Sequence, residues 1–251
     1  GPAAMGFALT TDIAIFLAGT FAAAFVAGLA GFAFGMVAAA VWLHALPPVQ
    51  AAALVVVYAL LVQAYAAWKL RRAISLPRLL PFVAGSAAGI PAGLVVLAWV
   101  PAGYLRTAVG VLLVLFSTYN LLRPKMPDMR RAGTAADAVI GVLNGLLAGA
   151  TGLGGVLPTI WSGLRGWSRD EQRAVFQPTA AVTFLMTLLV FGGTGIITPD
   201  VTRLFLLGLP ALVAGTLLGW AFYGRLDEAA FRKVVLVLLL ASGASLVVTG
   251  W

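Results

Sequence analysis

The stretch GATGLGGVLP, residues 149–158, places four glycines and a proline in ten residues of one of the most apolar parts of the chain. An interior glycine costs a helix about 1 kcal/mol against alanine, and proline removes a backbone donor. The stretch therefore reads as a break at which a second helix starts. The first N–H groups of that helix have no intrahelical partner and carry about half a positive charge. Gly152, Gly154 and Gly155 would let a ligand touch this backbone, and Pro158 costs little within the first turn. A ligand suited to such a place is an anion. Polar side chains that could line it are Asn144 before the break, Thr151 at it, and Thr179, Thr183 and Thr187, spaced i, i+4, i+8 in a later run that opens on Gln177-Pro178. Threonine in a membrane helix often only bonds back to its own carbonyls, so the stripe fits lining and packing equally. Gly85, Gly89, Gly93, Gly215 and Gly219 instead have the spacing of close helix packing.

The elements that must hold these residues follow from composition. Hydrophobic residues make up 62% of the 251 and charged residues 10%, with a mean hydropathy of +1.04. Soluble domains carry about 25% charged residues, so this is a membrane protein and the lipid bilayer is its first partner. Sixteen Lys+Arg against eight Asp+Glu leave a net charge of +8. On a soluble chain that would point to nucleic acid; here the excess belongs to cytoplasmic loops, and no nucleic-acid partner is expected. Having no cysteine, the chain can form neither disulfides nor thiolate metal sites. The opening GPAAM reads as a protease scar ahead of Met5, so residues 1–5 are set aside.

Long apolar runs fall at 12–46, 51–68, 79–100, 106–122, 136–163, 174–194, 201–223 and 232–250. About 20 residues span a bilayer, so six runs fit one crossing each, whereas the first and fifth are too long and rich in glycine. If all eight crossed once, the basic residues would divide nine to seven between the two sides. If the first and fifth runs turn back as hairpins, fourteen basic residues gather on one side, in loops 69–78, 123–131, 165–173 and 225–233. Only Arg106 and Arg203 then lie outside. The second arrangement satisfies the positive-inside rule and puts both termini outside. An internal likeness runs through the same halves: AGLAG (27–31) with AGATG (148–152), VAGSAAG (83–89) with VAGTLLG (213–219), and RTAVGVLLV (106–114) with RKVVLVLLL (232–240). The expected fold is an all-α polytopic membrane protein of two inverted-topology repeats, 12–122 and 136–250, joined by a cytoplasmic linker at 123–135. Each repeat is a broken Gly-rich hairpin plus three transmembrane helices, about ten helical segments in all. Secondary transporters with this architecture bind substrate at broken helices near the midplane. Trp42, Trp68, Trp99, Trp161 and Trp251 fall near run ends and read as an interfacial belt.

The chain resembles the sulfite exporter TauE/SafE family, also known as toluene-sulfonate uptake permeases. Members open each half with a signature of the form G-x-x-x-G-x-x-G-x-G-G-G followed by proline. The second copy here, GLLAGATGLGGVLP (145–158), keeps Gly145, Gly149, Gly152, Gly154, Gly155 and Pro158. The first copy, GLAGFAFGMVAAAVW (28–42), keeps Gly28, Gly31 and Gly35 but lacks the terminal glycine cluster and the proline. The resemblance implies transport of a small sulfur-containing anion such as sulfite, a sulfonate or thiosulfate across a bacterial inner membrane.

The expected function is thus export of such an anion through a midplane site at the hairpin tips, lined by Gly31, Gly35, Asn144, Thr151, Gly152, Gly154, Gly155, Gln177, Thr179 and Thr183. Uptake of an organosulfur anion and lipid modification by an intramembrane enzyme are the alternatives. The second lacks a constellation to perform it: the sequence shows no metal pair, aspartyl pair or Ser/His arrangement, and His44 stands alone in an outer loop. Neither enzymatic activity nor a cofactor is expected. All eight carboxylates fall at run ends or in loops, which points away from a proton relay and toward uncoupled movement down the membrane potential. Oligomeric state is not encoded in any of these patterns.

Overall fold

A computed structural model describes the backbone of residues 2–30, 33–125 and 127–250, and side chains from Thr10 onward apart from Ala30. The described residues form ten α-helices and no strand: α1 (Pro2–Ala30), α2 (Phe34–Trp42), α3 (Pro48–Lys69), α4 (Leu76–Trp99), α5 (Ala102–Leu122), α6 (Gly133–Thr151), α7 (Val156–Leu164), α8 (Arg169–Gly193), α9 (Pro199–Phe222) and α10 (Glu228–Thr249). Eight of them are long and apolar enough to cross a bilayer. The exceptions, α2 and α7, have nine residues each and rise only about 13 Å. They are the return limbs of the first and fifth apolar runs.

Both runs turn back on themselves. The Trp42 indole N–H donates to the Phe16 carbonyl at 3.1 Å, and the two rings lie 5.2 Å apart, so the end of α2 returns beside the first half of α1. Trp42 is fully buried, which corrects its reading as a belt residue: its indole holds a hairpin together. In the second hairpin, Gly155 N–H donates to Asn144 Oδ1 at 2.7 Å and Trp161 Nε1 to Asp137 Oδ1 at 2.7 Å, so α7 runs back along α6. Trp68 and Trp99, 59% and 84% exposed, fit the belt; Trp251 lies outside the described residues. Both return helices start from a residue in left-handed conformation, Ala33 at φ 67° and Gly155 at φ 90°. Glycine takes that geometry freely, whereas alanine is strained by about 1–2 kcal/mol.

Two compact units result. One comprises Gly1–Ala51, Pro101–Arg123 and Pro199–Trp251, hence α1, α2, α5, α9 and α10. The other comprises Ala52–Val100 and Pro124–Thr198, hence most of α3 with α4, α6, α7 and α8. Each hairpin therefore packs on a helix from the opposite half of the sequence.

Glycines set those seams. A Cβ on Gly85, Gly89 or Gly93 of α4 would run into the backbone of Ala138, Val142 or Leu146 of α6. Conversely, a Cβ on Gly141, Gly145 or Gly149 would strike the carbonyls of Phe82, Ser86 or Ile90. Both helices advance together along these contacts, so α4 and α6 are parallel. In the other unit, Gly215 and Gly219 of α9 meet Phe21 and Phe25 of α1 in the same parallel sense. Helices α5 and α10 are antiparallel, with Gly103 against Gly250 and Gly110 against Gly243. The packing role expected for the glycines of α4 and α9 is what the seams show, and it extends to Gly145 and Gly149.

Candidate functional site

The tip of the second hairpin is assembled from local signals. Helix α6 ends because Gly152 adopts φ 78°, with its N–H returning to Ala148 O at 2.8 Å. Thr151 spends its hydroxyl proton on Leu147 O at 2.7 Å and accepts from Leu153 N–H at 3.2 Å. The terminal carbonyls of α6 are thereby partly satisfied within the turn. Helix α7 opens from Gly155 with Pro158 at its third position, where the missing N–H would have been an orphan anyway. The N–H groups of Gly152, Leu153, Gly154 and Gly155 are each hydrogen-bonded, so the donors left over at the tip are the first N–H groups of α7, at Val156 and Leu157.

Three side chains and one backbone amide make a polar cluster beside the tip. Asn144 is fully buried. Its Nδ2 donates to Ser86 Oγ at 3.0 Å and to Thr183 Oγ1 at 3.2 Å, while its Oδ1 accepts from Gly155 N–H. The amide orientation follows from its neighbours. Ser86 gives its proton to Gly141 O and Thr183 gives its proton to Thr179 O, so both hydroxyls can offer residue 144 only lone pairs. Only an amide has both the donors and the acceptor this position demands. Thr179, one turn before Thr183 on the same face, is fully buried and its Oγ1 has no hydrogen-bond partner. Ser86 and Thr183 lie near the middle of α4 and α8 respectively.

Of the residues named from the sequence, Asn144, Gly154, Gly155 and Thr183 come together. A Cβ on Gly154 would press on Thr183 Cγ2 at 3.1 Å and on Phe184 and Ala148, and one on Gly155 on Ala180 Cβ at 2.8 Å. Thr151 and Gly152 complete the turn rather than point into the cluster, with Gly152 tight against the Ala52 backbone. Gln177 is half-buried, nearly two turns before Thr183 on α8. Thr187 back-bonds to Thr183 O. Gly35 sits at the second position of α2 in the other unit, and Gly31 lies outside the described residues. The residue that sequence reasoning missed is Ser86. It stands between Gly85 and Gly89 in a stretch assigned wholly to packing, and only the α4–α6 seam brings its hydroxyl to Asn144.

The opposite end of the hairpin is locked by charge. Asp137 and Arg165 close its base, with side chains only 4% and 12% exposed. Arg165 Nε lies 3.2 Å from Asp137 Oδ1 but out of line for a hydrogen bond; the hydrogen-bonded contact is Nη2 to Oδ2 at 3.4 Å. Arg165 Nη1 also donates to the carbonyls of Arg130 at 2.6 Å and Met129 at 3.2 Å. Arg78 pairs with Glu171 at 2.7 Å, and both Arg78 and Arg165 stand over the Trp167 ring. Loops 69–78, 123–131 and 165–173, which the charge count put on one side, therefore meet at one end of this unit.

A family model described as sulfite exporter TauE/SafE matches residues 15–246, nearly the whole chain. The chain belongs to that family. No curated protein and no solved structure matches it. TauE/SafE proteins are membrane transporters of sulfur-containing anions, and the eight apolar helices agree with an integral membrane protein. The TauE/SafE match covers both hairpins and includes every residue of the polar cluster.

Proposed function

We propose that this protein exports a small sulfur-containing anion, of the sulfite, sulfonate or thiosulfate class, across a bacterial inner membrane. The observation that carries the reading is the α7 N-terminus opening on the buried cluster of Asn144 and Thr183 near the middle of α4 and α8. In the resting cluster Asn144 Oδ1 occupies the Gly155 N–H. An arriving anion takes that donor and the next orphan N–H groups of α7, and the released amide turns its Nδ2 toward the ligand. Charge-assisted bonds of this kind contribute about 1.5–3 kcal/mol each, enough to hold an anion and weak enough to release it. Thr179 Oγ1, buried without a partner, is a further donor on the same α8 face.

The inverted-topology reading has support of the same kind. If the hairpins turn back and the other six runs cross once, α4 and α6 run in one direction, α1 and α9 run together, and α5 opposes α10. Those are the senses of the three glycine seams. A straight first or fifth run would reverse at least one of them. Both termini and Arg106 then lie outside, with the basic loops in the cytoplasm.

Export needs no proton relay. The potential supplies about 2.3 kcal/mol per charge per 100 mV, hence about 7 kcal/mol for a divalent anion at roughly 150 mV. That equals a gradient of about five decades. In proteoliposomes loaded with sulfite, a potential negative on the cytoplasmic-face side should accelerate its movement to the other side without proton flux. Transport that ignores the potential and follows a pH gradient would overturn the uncoupled mechanism.

A further inference from the structure

The three ion pairs of the described residues neutralise Arg78, Arg130 and Arg165. The cations that end α3 are arranged differently. Residues 51–78 contain no Asp or Glu, and Lys69, Arg71 and Arg72 form no ion pair among the described residues. Two of them are instead held on aromatic faces: Lys69 Nζ lies 4.9 Å from the centre of the Tyr65 ring and the Arg71 guanidinium 4.5 Å from that of Trp68. The rings stack at 6.4 Å, and Arg71 Nη1 donates to Trp68 O at 2.9 Å, satisfying a carbonyl at the helix end. A cation fixed over a ring has already lost the side-chain freedom that a surface pair would cost.

The apolar side of the same feature is a stripe. Leu61, Tyr65 and Trp68 follow i, i+4, i+7 on one face of α3 and are 49%, 45% and 59% exposed. An exposed apolar stripe ending in unpaired cations matches a molecule with an alkyl tail and a negative head. We propose that this end of α3 binds an anionic phospholipid of the cytoplasmic leaflet. Its phosphate meets Lys69, Arg71 and Arg72, and one acyl chain lies along Trp68, Tyr65 and Leu61. Free phosphate would gain the charges and forgo the stripe. A zwitterionic lipid would gain the stripe and carry its own cation against the site.

The test uses the full chain, delipidated in a neutral detergent, with bound lipid read by native mass spectrometry. Phosphatidylglycerol, phosphatidylcholine and inorganic phosphate are the three probes. A juxtamembrane cation contributes about a fivefold factor to anionic-lipid affinity. K69Q/R71Q/R72Q should therefore weaken phosphatidylglycerol binding roughly a hundredfold and leave phosphatidylcholine unchanged. Arg72→Gln alone, which touches neither ring, should cost about fivefold and gives an independent reading if the triple variant fails to fold. Replacing Tyr65 and Trp68 by leucine keeps the charges and the stripe but removes the platform, and should cost a few-fold. Undiminished phosphatidylglycerol binding in both the triple variant and Arg72→Gln would overturn the proposal. So would displacement of the lipid by inorganic phosphate at equal concentration.

Discussion

Asn144 is the most exacting position in the protein, and its two simplest replacements should rank in an order that only the polar cluster explains. In Asn144→Ala, Ser86 keeps Gly141 O and Thr183 keeps Thr179 O, so neither hydroxyl is stranded. What remains orphaned is the Gly155 N–H, whose acceptor at 2.7 Å is gone. An unsatisfied buried donor costs about 1–3 kcal/mol. For a chain of this length that corresponds to a fall of very roughly 2–12 °C in Tm. Asn144→Asp is closer in shape and keeps an acceptor for Gly155. Its second oxygen, however, meets two lone pairs where Nδ2 donated to Ser86 and Thr183. It also adds an unpaired buried charge, so it should be less stable than the alanine variant. The assay is thermal unfolding in detergent at neutral pH, followed by a fluorescent label or by loss of the monodisperse peak. If Asn144→Asp proves as stable as wild type, or more stable than Asn144→Ala, the donor assignment at Ser86 and Thr183 is refuted.

Three further outcomes are expected. Gly89→Val and Gly145→Val place a branched side chain against backbone across the α4–α6 seam and should abolish folded protein in detergent, while Gly192→Ala, with nothing within 4 Å, should be neutral or stabilising by up to about 1 kcal/mol. Removing one partner of the buried Asp137–Arg165 pair, by Asp137→Asn or Arg165→Gln, should cost about 3–5 kcal/mol, and a double-mutant cycle on unfolding should show the double variant losing less than the sum. Single cysteines introduced at 69–78, 123–131, 165–173 and 225–233 should resist an impermeant thiol reagent in intact cells; labelling of 123–131 from outside would sink the proposed orientation.

Much of this was legible because the strongest constraints were local. The break at 152–155 follows from a glycine cluster that no membrane helix tolerates without a reason, and Gly152 and Gly155 do adopt positive φ. Asn144 and Thr183 stood out as polar residues in apolar surroundings. Tertiary pairings were what the sequence could not disclose. Ser86 carries no mark distinguishing a site hydroxyl from a packing residue until α6 lies against α4. Trp42 sits where a belt tryptophan would, yet the turn of the first hairpin carries it inward to Phe16. Gly145 and Gly149 belong to the family signature, but their work is in the seam, since small-residue spacing is the same for both purposes. Arg165 counted as a loop charge although Asp137, twenty-eight residues earlier, draws it into the hairpin base.

The exchange of helices between the halves sets a timetable for the ribosome. Unit 2 holds nothing beyond Thr198, so its glycine seam can close soon after α6 emerges and its cluster once α8 follows. The first hairpin has no such luck: α1 is complete at Ala30, and α9, which covers it, begins at Pro199. At about 5–20 residues per second the nascent α1 stands without that neighbour for roughly ten to thirty seconds. Through that interval its small-residue face is open to lipid, to the translocation machinery and to other nascent helices. A chain that stalls before residue 199 would carry a finished polar cluster in unit 2 and a first hairpin with nothing to close on. Quality control of this protein should therefore act on α1 and α9 together, and slow codons ahead of α9 should reduce yield more than the same codons placed after it.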